Sequence, residues 1–124
     1  MLSMKDSARG AVMHDLRVLG VLENARDLIS DSSRWCQGVS ARTQDGFAVE
    51  PGHAEACRWC SIGAIVRACA KNTDMVQPCI DALCTNLPPR LIQPLAFYND
   101  TRDHDFILAL FDKTIQKLRP EVLP

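Results

Sequence analysis

The sequence predicts a mainly α-helical fold: a compact single domain of about four helices with an irregular or short β-hairpin insert. Three observations predict it. Apolar residues recur at helical spacing over 15–30 and 103–119, an Ala/Cys/Ile/Val-rich run fills 62–70, and turn-forming dipeptides concentrate between 37 and 52. The chain has 124 residues, the size of one domain. Residues 1–14 read as a poorly ordered N-terminal segment, 15–119 as the helical domain and 120–124 as a C-terminal tail.

The first helix, from about Asp15 to Ser30, carries Leu16, Leu19, Leu22, Ala25, Leu28 and Ile29 on one face. Asp31-Ser32-Ser33 ends it. In the insert, Gln44-Asp45-Gly46 is a turn, because Asp-Gly readily adopts positive φ. Phe47 to Glu50 has the make-up of a short strand, and Pro51-Gly52 closes the segment. A central helix is expected over 53–71, with Gly63 packed closely against a neighbour and Asn72 as its C-cap. A third is expected over 74–87, with Gln77 as cap, Pro78 in the first turn and Pro88-Pro89 beyond. Leu91–Tyr98 fits a helical turn or an extended segment equally well. Asp103 then caps a last helix with Ile107, Leu110, Phe111, Ile115 and Leu118 on one face, which Arg119-Pro120 stops.

Composition narrows the function classes. Fourteen basic and 15 acidic residues leave a formal net charge of −1. Nucleic-acid binding draws most of its affinity from basic excess, so no nucleic acid is expected. No apolar stretch approaches the ~20 residues that span a bilayer, and Met1 to Asp6 lacks an apolar signal region. The expected setting is therefore the cytoplasm, without a membrane. There the six cysteines are expected reduced and mostly buried as small hydrophobes.

At this point the combination Trp35-Cys36-Gln37-Gly38, Asp45-Gly46, Arg58-Trp59-Cys60-Ser61-Ile62-Gly63-Ala64, Asn99-Asp100 and Arg102-Asp103-His104 is informative. In this order it resembles DUF6197, a family of small bacterial and phage proteins of unknown function. The resemblance covers roughly residues 16–118. It implies a bacterial or phage source and a cytoplasmic setting, and it implies no activity. The chain departs from the family at Tyr98, where Trp or a similar aromatic is usual, and at Cys57, where a plain apolar residue is usual.

Four constellations carry potential chemistry. His53, Cys57 and Cys60 share one face if 53–71 is helical, and with Cys36 they could form a tetrahedral zinc site. A second Cys-x-x-Cys pair is missing, so a buried cysteine stripe is the better reading, and neither metal nor cofactor is expected. Cys36 or Cys60 could act as nucleophile with His104 and Asn99 or Asp100, as in thiol enzymes. Against this, no strand–elbow–helix signature surrounds either cysteine. Asn99, Asp100 and Arg102 suit turn and cap hydrogen bonds more than ligand binding, with Arg34 or Arg58 available to pair with Asp100. Trp35 and Trp59, each beside an arginine, suit a core, an interface or a cation–π contact. The best class is a non-catalytic binding or regulatory module with a protein partner or self-association, contacted through Trp35, Arg58, Trp59, Asn99, Asp100 and Arg102. The alternative is a thiol-dependent enzyme or a small-ligand-binding protein.

Overall fold

The protein is represented by a computed structural model that describes residues 4–88 and 93–120, with side chains from Val12 onward. Among these residues there are five α-helices and one small sheet: α1 (Met4–Leu28), β1 (Ala41–Arg42), β2 (Ala48–Val49), β3 (Arg58–Trp59), α2 (Ser61–Cys69), α3 (Val76–Cys84), α4 (Leu95–Thr101) and α5 (His104–Leu118). The mainly helical class with a hairpin insert is the one predicted.

Helix α1 packs on α2, α3 and α5, α2 also touches α3 and α4, and α3 touches all four other helices. Leu22, Ile29, Ile65, Leu83, Leu95, Ile107 and Phe111 are fully buried between these helices. Helix α1 begins at Met4, well before the predicted start near Asp15. Its core contribution nevertheless starts at Val18; Val12, Met13 and Leu16 are exposed.

The insert supplies β1 and β2, and β3 joins them in a three-stranded antiparallel sheet in the order β2-β1-β3, with Ala41 opposite both Val49 and Trp59. The Asp45-Gly46 turn is present. Gly46 takes φ +90°, and its N–H closes the turn onto the Thr43 carbonyl at 3.0 Å.

The helix expected over 53–71 is confined to Ser61–Cys69, and Arg58 and Trp59 lie in a strand. The sheet claims the preceding backbone: the Cys57 N–H donates to the Arg42 carbonyl at 2.9 Å and the Cys60 N–H to the Ser40 carbonyl at 3.1 Å. Cys60 then serves as N-cap, its sulfur accepting the Gly63 N–H at 3.2 Å. The close packing expected of Gly63 is present. A Cβ there would overlap the Ser40 carbonyl oxygen and come within 2.8 Å of its carbon. The C-cap is Ala70 at φ +51°, not Asn72, which instead precedes a 3-10 turn over Thr73–Met75.

That turn leads into α3, so Gln77 lies inside the helix and its side chain bonds Asp81 at 2.8 Å rather than capping. Helix α3 ends at Cys84, before Pro88. Within the segment 91–98, residues 91 and 92 lie outside the described residues, and α4 begins at Leu95. Asp103 caps α5 as predicted, accepting the Phe106 N–H at 2.8 Å. Asn86 ties the end of α3 to α5, donating to Thr114 Oγ1 at 2.9 Å and accepting from Lys117 Nζ at 2.8 Å.

Candidate functional site

The two Trp-Cys pairs lie side by side. Trp35 and Trp59 form an isolated parallel bridge, and the Cys36 N–H donates to the Trp59 carbonyl at 3.1 Å. Parallel pairing places residues that follow the bridge next to each other, so Cys36 and Cys60 become neighbours. Both are buried.

Asn99 on α4 knits this region together. It is 1% exposed, and its Oδ1 accepts the Trp35 indole N–H and the Ser61 backbone N–H, each at 2.9 Å. Its Nδ2 donates to the Cys36 carbonyl at 3.0 Å and to Asp100 Oδ1 at 3.2 Å. One side chain therefore joins the loop after α1, the start of α2 and α4. The same loop is held twice more. Gln37 donates to the carbonyls of Asn99 and Arg102 at 2.9 and 3.0 Å, and the Gly38 N–H donates to Asp100 Oδ1 at 2.8 Å. Gly38 takes φ +84°, a conformation that favours glycine.

A cleft of about 180 Å3 opens here, lined by Gly38, Val39, Ser40, Cys60, Ile62, Ala96, Asn99 and Asp100. Asp100 is exposed at its edge and makes no ion pair with Arg34 or Arg58, contrary to the pairing considered from sequence. The side chain of Ser61, fully buried beside Asn99, has a hydroxyl without a hydrogen-bond partner among the described residues.

Both thiols of the pair are shifted upward from their ordinary value. Burial pushes the Cys36 thiol up to about 11, with the neighbouring Cys60 adding to the rise and Arg42 and Arg58 opposing it. Burial also raises the Cys60 thiol, against the Gly63 and Ile62 amides that favour its anion. His104 does not hydrogen-bond either cysteine. Its Nε2 contacts the Ile29 carbonyl at 2.6 Å, which requires this nitrogen to carry the proton and donate. Its ring lies against Trp35, with centroids 5.5 Å apart.

The remaining candidates separate from this site. His53 and Cys57 line a different groove with Thr43, Asp45 and Phe47, so His53, Cys57 and Cys60 do not share the helical face expected of them. Among the described residues no group of three or more His, Cys, Asp or Glu is arranged to hold a metal ion. The buried Trp59 indole donates to the Pro51 carbonyl at 3.0 Å, and the cation over its ring is Arg67, 5.7 Å from the centroid, not the adjacent Arg58. Arg102 sits over Phe106 at 5.5 Å and contributes its carbonyl to Gln37.

Sequence reasoning missed the roles of Ser40 and Ala96, which no motif marks, and read Pro51 only as a turn residue, not as the acceptor of the Trp59 indole N–H. It also left Gln37 without a role, although Gln37 stands inside the Trp35–Gly38 motif. No helix among the described residues is long and apolar enough to cross a membrane.

Neither the curated proteins nor the solved structures include one that matches this chain. The profile of a family of unknown function, DUF6197, matches residues 13–117 and so spans the bridge, the Asn99 network and the cleft. The chain belongs to the DUF6197 family of unknown function.

Proposed function

We propose that this chain is a non-catalytic binding or regulatory module that works through protein–protein contacts in the cytoplasm. One observation carries the reading: the site's reactive side chains are engaged in holding the fold. The Cys60 sulfur caps α2, the Cys36 thiol is buried, and His104 Nε2 is bonded to the Ile29 carbonyl. What reaches the surface is a small cleft edged by Asp100, whose size suits an inserted side chain. Six free cysteines fit a reducing compartment.

The rival reading is a thiol-dependent enzyme or small-ligand protein using Cys36 or Cys60 with His104 and Asn99 or Asp100. It draws on Cys60 lining the same cleft. Raised thiols and a histidine directed to a main-chain carbonyl weigh against it, because a nucleophile needs thiolate and a base within reach.

Photo-crosslinking tests the proposal. A photoreactive residue at Val39, on the cleft, should yield a discrete protein adduct in the cell that makes this chain. The same residue at exposed Lys71, past the far end of α2, should not. No adduct from Val39, or equal labelling from both positions, contradicts the proposal.

A further inference from the structure

We propose that the cleft at Asp100 receives one lysine side chain of a partner protein. This rests on the binding-module reading of the same site. The volume comes first. At about 180 Å3 the cleft is smaller than the ~300–1,000 Å3 of typical cofactor and small-molecule pockets, and it is nearer the size of one long side chain.

Its walls come second. Val39, Ile62 and Ala96 offer apolar surface to an aliphatic stem, and among the described residues Asp100 is the only charged one lining it. On α4, Phe97 follows Ala96 and is 40% exposed, giving the residues that flank an inserted side chain an apolar surface to rest on.

The charge comes third. Asp100 Oδ1 already accepts from the Gly38 N–H and Asn99 Nδ2, while Oδ2 has no protein partner among the described residues. Arg42, whose guanidinium approaches Gly38, directs its donors to the Gly46 and Gln37 carbonyls at 2.9 and 3.2 Å instead. An anion is disfavoured here: Asp100 would repel it, and the Ser61 and Gly63 N–H groups at the start of α2 are already bonded to Asn99 and Cys60.

Lysine fits better than arginine. An ammonium is a compact charge that can satisfy one free carboxylate oxygen, whereas the guanidinium fork is matched to two. Oδ1 faces the loop and is occupied, so the fork has only half its partner.

The test uses the isotope-labelled full chain and blocked single amino acids, read by NMR at the Gly38 amide and the Trp35 indole. Nα-acetyl-lysine methylamide should shift the Gly38 amide saturably. The corresponding norleucine, Nε-acetyl-lysine and arginine compounds should act far more weakly. Asp100→Asn retains an acceptor for the Gly38 N–H and should weaken the lysine response about ten- to hundredfold, the loss of one charge-assisted hydrogen bond. Should Asp100→Asn disturb the loop, Ala96→Met fills the cleft from an exposed helical position and should abolish the response with Asp100 intact.

No saturable lysine shift at Gly38 would overturn the proposal, as would equal responses to norleucine or arginine or an unchanged response in a folded Asp100→Asn variant. If the lysine response fails while Val39 still yields its adduct, the slot is wrong and the module stands. If both fail, both readings fall.

Discussion

Trp35 donates its indole N–H to the side-chain oxygen of Asn99 at 2.9 Å, across 64 positions of sequence. The same oxygen takes the first N–H of α2, from Ser61. A single buried amide thus fixes the loop after α1 against both α2 and α4. Replacing Asn99 by Leu would leave the Trp35 and Ser61 donors and the Cys36 carbonyl without their partner. Each unsatisfied buried group costs roughly 1–3 kcal/mol, so the expected loss is about 3 kcal/mol or more. Urea unfolding of Asn99→Leu checks this; a loss below about 1 kcal/mol would mean that the network re-forms without it.

Gly63 reverses the ordinary helix rule. Glycine to alanine in a helix normally stabilises by up to about 1 kcal/mol. Here the new methyl meets the Ser40 carbonyl, which is also the acceptor of the Cys60 N–H. Gly63→Ala should therefore destabilise, by about 1–3 kcal/mol, the usual cost of overpacking. A melting temperature at or above that of the parent would contradict the close contact.

The two tryptophans should separate in a mutational test. Trp59 is 6% exposed and bonded to the Pro51 carbonyl, whereas Trp35 is half-buried. Trp59→Ala should cost about 3–5 kcal/mol, the range for a buried Trp, and Trp35→Ala less. Thermal unfolding distinguishes them, since about 1 kcal/mol moves the midpoint by a few degrees in a domain of this size. A negligible shift for Trp59→Ala would make it an interface residue rather than core.

Much of the architecture was legible because it is local. Asp103 caps α5 through a hydrogen bond three residues away, and Asp45-Gly46 turns the hairpin by its own backbone preference. The helix misread at 53–60 shows where locality stops. The apolar run from Ile62 onward is helical, but its start is decided by pairing with Arg42 and Ser40 and by a cysteine, not a usual capping residue, acting as N-cap. The site behaves likewise. Trp35, Asn99 and Asp100 could be singled out by residue type. That Asn99 joins Trp35, Cys36 and Ser61 is a matter of tertiary placement, and neither periodicity nor spacing encodes it. Ala96 and Ser40 are invisible for the same reason, since they act only by where the fold places them.

The buried thiols predict a pH dependence. Folding raises Cys36 to about 11 and Cys79 to about 12 from an ordinary value of 9.0. A raised thiol pKa means that the unfolded chain ionises first as pH rises. The stability carried by the neutral thiols is therefore full below about pH 9 and lost progressively from there to between pH 11 and 12. Urea midpoints should fall across that window, and the fall should be shallower for Cys79→Ala measured against its own value at neutral pH. An identical slope in parent and variant would contradict the burial of that thiol.

Alkylation of the native protein by iodoacetamide as a function of pH is the measurement that most directly tests whether this is a site of binding or of thiol chemistry. Mass mapping after each time point gives the rates at Cys36 and Cys60 separately. Moving a thiol from 9.0 to about 11 lowers its thiolate fraction roughly a hundredfold. Cys36 should therefore react about that much more slowly than the same residue in the unfolded chain, with a rate still rising above pH 9. Cys60 should also lag its unfolded rate, without a plateau near neutrality. Rapid modification of either cysteine at pH 7, with an apparent pKa well below 9 that disappears in His104→Ala, would contradict the account and establish a thiol nucleophile.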